Sequence, residues 1–231
     1  MPEWLPIAKV VAFAGRHRWS LPLATLAALC FATLARELRE QRIEPFDAAL
    51  AGLIGGLRGQ LDQPMLWLTR FGSGPSLVAV TLGAAGLLLL GKRRRESAFV
   101  MTVGIGIVLL GGGLKLFFHR DRPEASSLYL LQTPHSFSFP SGHAFGSTAV
   151  LFGLVIVARV SRVRGWRFGA LAVLGASVAI GVCMSRVYFG VHFPSDVLGG
   201  MLAGAGWVSA LTGFFYPATL KGEDAEAPAP P

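Results

Sequence analysis

The sequence predicts an all-α integral-membrane protein, a six-transmembrane-helix bundle with an interfacial amphipathic helix. Three observations predict it. Apolar residues make up 52% of the chain and charged residues 15%, short of the charged share of about 25% usual in soluble domains. Six apolar runs reach or approach the roughly 20 residues needed to cross a hydrocarbon core, and little polar sequence remains to form a soluble shell. The Lys and Arg residues gather in alternate connections, as cytoplasmic loops do.

The runs lie at about 19–35, 72–91, 98–118, 143–160, 168–186 and 196–216. The first follows Arg16, His17 and Arg18, and "TLA" at 33–35 has the form of a cleavage site. It exceeds the apolar stretch of about 7–15 residues in a secretory signal, so it reads as a retained span. Lys9, Arg16 and Arg18 precede span one, "KRRR" (Lys92 to Arg95) separates spans two and three, and Arg159, Arg162, Arg164 and Arg167 mark the connection of spans four and five. Six crossings put these segments on one face, which is therefore expected to be cytoplasmic. The tail at 217–231, with Lys221 and "GEDAEAPAPP", falls on that face and is too short and polar to pack, so disorder is expected there. Residues 1–216 read as a single membrane-embedded domain. Topology thus accounts for the net charge of +8, and no nucleic-acid partner is implied. Cys30 and Cys183 sit inside apolar runs and read as buried thiols, neither a disulfide nor a metal pair.

The opposite face receives residues 36–71, 119–142 and 187–195. In the first of these, Ile43, Phe46, Leu50, Leu53, Ile54, Leu57 and Leu61 recur at helical spacing, and Glu44-Pro45 suits a helix start. The stripe fits a helix packed on the bundle, or an interfacial helix beside a lipid entrance. Glycines at 111–113, and Gly200 with Gly204, allow helices to approach closely.

His143 opens span four and His192 precedes span six; one crossing down and one back place both on the non-cytoplasmic face. Lys115, Arg122, Arg186 and Asp196 fall in the same layer. A lone Arg at a span end is ordinarily an interface anchor, a lone Asp at a helix start a cap, and a lone interfacial His a loop residue. His17, His119, His135 and the cap-like Ser185 keep that ordinary reading, and Arg120 and Asp121 read as loop charges that orient Arg122. Co-location sets the others apart, because ionisable groups near a bilayer are costly. Lys115, Arg122 and Arg186 suit a compact polyanion. Ser141 adds a hydroxyl, Gly142 a close backbone N–H, and the start of span four its amides and positive dipole end, which together make a phosphate cradle. Asp196, four residues after His192 around a helix start, can bond one imidazole nitrogen and raise the basicity of the other, making it a nucleophile. His143, when protonated, can protonate a leaving oxygen. The expected reaction is in-line phosphoryl transfer to His192, then attack by water on the phosphohistidine.

"KLFFHRDRP" (115–123), "PSGH" (140–143) and "SRVYFGVHFPSD" (185–196) occur complete and in order. Together they resemble the tripartite signature of the type 2 phosphatidic acid phosphatase superfamily. The resemblance implies an all-helical, metal-independent phosphatase without a cofactor. It assigns His192 as nucleophile, Asp196 as its partner and His143 as general acid, with Lys115, Arg122, Ser141, Gly142 and Arg186 as phosphate ligands. Its membrane branch acts on lipid phosphates or diphosphates, typically at the outer face of the membrane. A bacterial-type cytoplasmic membrane, with the site toward the periplasm or exterior, is the expected location. Undecaprenyl diphosphate and phosphatidylglycerol phosphate lead the candidate substrates, with phosphatidic acid and a lipid A phosphate beside them. Transfer to an acceptor other than water fits the same residues. The superfamily also contains vanadium haloperoxidases, but those are soluble, and a transporter would set its ionisable residues nearer the membrane midplane.

Overall fold

The computed structural model describes residues 19–124 and 136–216. Lys9, Arg16, His17, Arg18, His135 and the tail with Lys221 lie outside the described residues. In hydrocarbon every backbone amide needs a partner within its own segment, so long apolar runs wind into helices. Among the described residues there are eight: α1 (Ser20–Arg39), α2 (Glu44–Gly55), α3 (Asp62–Phe71), α4 (Gly74–Leu90), α5 (Arg94–Phe118), α6 (Gly142–Val160), α7 (Gly165–Tyr188) and α8 (Pro194–Phe215).

Helices α1, α5, α6, α7 and α8 are each long and apolar enough to cross a membrane. A sixth span is reached only when α3 and α4, of 10 and 17 residues, are taken together across a 53° bend. The bend has a local cause. Ser73 is extended, and Pro75 occupies the first turn of α4, where its missing N–H costs no helical bond. The surface is the inverse of a soluble protein's. Leu29, Leu87, Leu90, Val108 and Leu109 are exposed, while Ser138, Ser141, Ser195 and Asp196 are fully buried. Lipid is the solvent for such an exterior. Cys30, expected buried, belongs to this exposed apolar surface, whereas Cys183 is buried.

Helices α5, α6 and α8 enclose a core of Phe99, Val103, Phe145, Ala149 and Val208. Helix α1 lies along α8, and α7 packs on α6 and α3. The crossing of α6 and α8 is close because Gly200 and Gly204 carry no side chain. A Cβ at Gly200 would stand 2.6 Å from the Ser141 carbonyl oxygen, and one at Gly204 2.8 Å from that of Phe145. This contact sets the distance between the starts of the two helices that carry the second and third motifs. The 111–113 glycines behave differently from expectation. Gly111 faces Phe145 at 3.4 Å, but Gly112 and Gly113 have open space where a Cβ would point.

The stripe expected over 43–61 divides in two. Helix α2 stops at Gly55–Gly56, and Gly59, at φ 86°, turns the chain toward α3. That turn needs a residue without a Cβ, and the spacing of Leu57 and Leu61 carried no signal of it. Helix α2 is also inverted: Phe46, Leu50 and Leu53 are exposed, while Asp47 is 3% exposed.

The basic connections at 92–95 and 159–167 share one end of the bundle, where Arg95 stacks on Tyr216 at 5.2 Å. All three motifs lie at the other end. At the α6–α8 contact the obstacle is backbone, which gives way least. Gly200→Ala should therefore lower stability by about 1–3 kcal/mol and reduce activity, whereas Gly112→Ala should stay within about 1 kcal/mol of the parent. Thermal unfolding in detergent, run beside a turnover assay, checks both; equal effects from the two substitutions would contradict the contact.

Candidate active site

Four helix ends and two connections build the site. Helix α5 brings Lys115 in its last turn and stops when His119 adopts a left-handed conformation at φ 48°. His119 packs its ring on Phe137 at 4.5 Å, which is a structural role. The connection 119–124 is laced to 136–141: Ser138 N–H donates to the Arg120 carbonyl at 2.7 Å, and Lys115 Nζ donates to the Phe137 carbonyl. Ser141 N–H donates to the Asp196 carbonyl at 2.9 Å, so the starts of α6 and α8 are joined directly. Gly142 opens α6 with only Lys115 Cε, at 3.9 Å, near where its Cβ would lie. The first-turn amides of α6 have no acceptor inside the helix and point out of this end.

His192 is 3% exposed in the connection between α7 and α8. Its Nε2 lies 3.1 Å from Arg122 Nη1. Arginine only donates, so Nε2 accepts and Nδ1 carries the proton. Nδ1 faces the Ser138 hydroxyl at 3.2 Å and Asp196 Oδ2 at 3.4 Å. Ser138 in turn donates to Asp196 Oδ2. Burial lowers the His192 pKa to about 4, against the hydrogen bond and charge of Asp196, which raise it; Arg122 and Arg186 add to the lowering. At neutral pH the imidazole is therefore neutral, with a lone pair on Nε2.

Arg122 also donates to the Ser136 carbonyl at 2.8 Å and the Val191 carbonyl at 2.7 Å, which fixes its guanidinium beside His192. Burial lowers its pKa, and Asp196 opposes that shift. Arg186, 4% exposed, donates through Nη1 to Thr69 of α3. Its Nε and the Ser141 hydroxyl are buried without a hydrogen-bond partner. Such orphaned donors are costly, and an anion between them would satisfy both. His143, in the first turn of α6, lies within electrostatic reach of Arg186, His192, Arg122 and Lys115. It also borders an apolar groove of about 420 Å³ between α4, α5 and α6, which Leu77, Val78, Ile105 and Val108 line.

All eight residues singled out in the sequence thus fall in one layer. Several of their neighbours were missed. Arg120 does not orient Arg122; it donates to Asp196 Oδ1 at 2.6 Å and to Asp47 Oδ2 at 2.8 Å. Ser138, Thr69, Asp47 and Ser195 carried no signal beyond ordinary polarity, and Asp47 interrupts an apolar stripe as a solvated residue would. Ser185 is not a cap but donates back to the Val182 carbonyl at 2.6 Å within α7.

Comparison with known proteins identifies the family. A family model of the PAP2 superfamily matches residues 96–219. The chain is 34% identical over 156 residues to an undecaprenyl-diphosphatase of Sulfolobus acidocaldarius, covering 66% of this chain and 69% of that one. It is 29% identical over 181 residues to phosphatidylglycerophosphatase B of Bacillus subtilis, covering 76% and 86%. Among solved structures it resembles a transmembrane PAP2-type phosphatidylglycerolphosphate phosphatase from Bacillus subtilis, with a TM-score of 0.70 and 26% identity over 83% of this chain and 94% of that one. With its membrane-crossing helices and its three motifs gathered at one end of the bundle, the chain belongs to the PAP2 superfamily as an integral-membrane phosphatase.

Proposed function

We propose that this protein hydrolyses a lipid phosphate or diphosphate through a phosphohistidine on His192, with undecaprenyl diphosphate and phosphatidylglycerol phosphate as its favoured substrates. The observation that carries this reading is the apolar groove that ends at Gly142 and His143. A lipid tail occupies the groove, and the phosphate then lies beside Ser141, Arg186 and His192. The two relatives described above, one named for a polyprenyl diphosphate and one for a glycerophospholipid phosphate, support this choice of lipids.

In the first step the His192 Nε2 lone pair attacks phosphorus. The bond from phosphorus to the lipid-side oxygen breaks, and protonated His143 gives that oxygen its proton. Arg122 leaves Nε2 for the phosphoryl oxygens, where Lys115, Arg186, Ser141 and the amide of Gly142 also donate. Asp196, held against Nδ1–H, stabilises the positive charge that develops on the imidazole. In the second step water attacks phosphorus, the P–N bond breaks, and His143 takes the water's proton. Inorganic phosphate departs and the Nε2 lone pair is restored.

The reading excludes a metal from the chemistry. The groups around the phosphate position are cations, which repel a divalent ion, and among the described residues no three His, Cys, Asp or Glu converge to hold one. It also places the site outside the cell. Lys92 to Arg95 and Arg159 to Arg167 face the cytoplasm on charge grounds, so the motif end faces the periplasm or exterior. The exposed apolar face of α2 then rests in the outer interface.

Purified protein in excess chelator should release phosphate from both favoured lipids at its full rate. His192→Ala should abolish turnover and the acid-labile phosphoenzyme. His143→Ala should lose about 10²–10⁴-fold on a lipid alkoxide leaving group and less on a substrate whose leaving group needs no proton. A requirement for added Mg²⁺, or equal loss by His143→Ala on every leaving group, contradicts the assignment.

Sidedness has a separate test. In a background lacking Cys30 and Cys183, a cysteine replacing Glu124 should react with an impermeant thiol reagent on intact spheroplasts, and one replacing Lys92 should not. The reverse pattern moves the substrate pool to the inner leaflet.

A further inference from the structure

Asp47 is the buried residue of helix α2, which packs Ala51 and Ile54 on the bundle and leaves Phe46, Leu50 and Leu53 exposed. Its Oδ1 accepts Ser195 N–H at 2.8 Å, and its Oδ2 accepts the Ser195 hydroxyl at 2.6 Å and Arg120 Nη2 at 2.8 Å. The other arm of Arg120 donates to Asp196 Oδ1 at 2.6 Å and to Ser195 Oγ at 2.7 Å. The guanidinium lies 4.1 Å over the Phe193 ring. One arginine is therefore shared between two buried carboxylates. Its second carboxylate, Asp196, is the group that faces His192 Nδ1 directly and through Ser138.

This arrangement meets two opposed needs. An Asp196 charge with no other partner would favour a proton on both imidazole nitrogens, and a cationic His192 has no lone pair for attack. An Asp196 charge wholly neutralised by arginine would give little support to the cation that forms as His192 bonds phosphorus. Asp47 holds one arm of the fork and leaves only the other for Asp196. We infer that Asp47 and Arg120 are a positioning pair that sets how much of the Asp196 charge acts on His192. Neither touches the phosphate, which the cations Lys115, Arg122 and Arg186 receive. The inference rests on the reading of His192 as nucleophile.

The experiment measures kcat, KM and the pH profile of kcat/KM for full-length protein in detergent with one lipid phosphate. Among the described residues, the charged and titratable groups around Asp196 and His192 are Lys115 from α5, Arg120 and Arg122 from the first connection, His143 from α6, Arg186 from α7 and Asp47 from α2 through Arg120. Each variant changes one of them, and the substrate's own ionisation is common to all profiles. Arg120→Gln frees Asp196 to act fully on His192. The His192 pKa then rises, neutral imidazole is lost at higher pH, and the acid limb should move up by about one pH unit. Arg120→Lys restores a charge that serves one carboxylate at a time, so its limb should lie between that of Arg120→Gln and the parent's. Asp47→Asn hands Arg120 to Asp196; kcat should fall about 10-fold, KM should stay within about twofold, and the limb should not rise.

A static limb in Arg120→Gln, with the same loss as Asp47→Asn, overturns the pair and leaves it a structural tie. So does a rise in KM, or a weakening of inhibition by inorganic phosphate, as large as the fall in kcat. Should Arg120→Gln fail to fold, Arg120→Lys decides alone. An ammonium serves one carboxylate at a time, so its limb should lie above the parent's, and an unshifted limb refutes the pair. The wild-type phosphoenzyme separates the two readings. Its absence removes the nucleophile assignment, whereas its presence with unmoved limbs removes the positioning pair alone.

Discussion

A carboxylate with no exposure to solvent, Asp196 at the start of α8, is the constraint on which the rest depends. Burying an ion costs several kcal/mol unless hydrogen bonds replace its water. Here the replacements come from across the fold. Arg120 follows α5, Ser138 precedes α6, the Phe193 amide donates to Asp196 Oδ2 at 2.9 Å, and His192 stands on the connection from α7. One anion thus draws together all three motif segments. The Asp196 carbonyl adds a fifth tie by accepting Ser141 N–H. The chemistry and the local packing are one arrangement, because the groups that make burial of Asp196 tolerable also aim His192.

The membrane supplies the complementary half. Polar groups are turned inward at one end of the bundle, and the leucines and valines of α1, α4 and α5 face lipid. Helix α2 shows the principle at small scale, with its apolar face outward and Asp47 inward. A groove between α4, α5 and α6 joins the two environments, because its walls are hydrocarbon and its end is His143. A lipid phosphate has the same division between tail and head, which is why the proposed function assigns one to this groove.

The parts legible in the sequence were those carried by local pattern. Hydropathy located the long apolar helices, and their number put the three motifs at one end of the bundle and the basic connections at the other. Spacing within the three motifs placed His143, His192, Asp196 and the three cations at one end of the bundle, because each motif keeps its polar residues within a dozen positions. The Gly200 and Gly204 contact was legible for the same reason. What stayed hidden depends on partners far apart in the chain. Asp47 bonds Ser195 and Arg120, Thr69 bonds Arg186, and Ser138 bonds Asp196; none of these pairings has a sequence period. Arg120, two residues before Arg122, looked like a loop charge because its acceptors lie on α2 and α8. The division of the 43–61 stripe depended on Gly59, whose positive φ a hydrophobic pattern does not encode. The 111–113 glycines looked alike, and only the bundle distinguishes Gly111, which packs, from its two neighbours, which face open space.

The central claim is that Ser141, Arg186 and Arg122 hold an oxyanion against Nε2 of His192. A structure of the full-length protein with orthovanadate tests it most directly, since vanadate takes the five-coordinate geometry of the transferring phosphoryl group. The account predicts vanadium bonded to Nε2, with the Ser141 hydroxyl and Arg186 Nε donating to its equatorial oxygens and Arg122 moved from the imidazole onto the oxyanion. Vanadate bound away from His192, or a complex in which Ser141 and Arg186 Nε still lack partners and Arg122 still donates to Nε2, would contradict it.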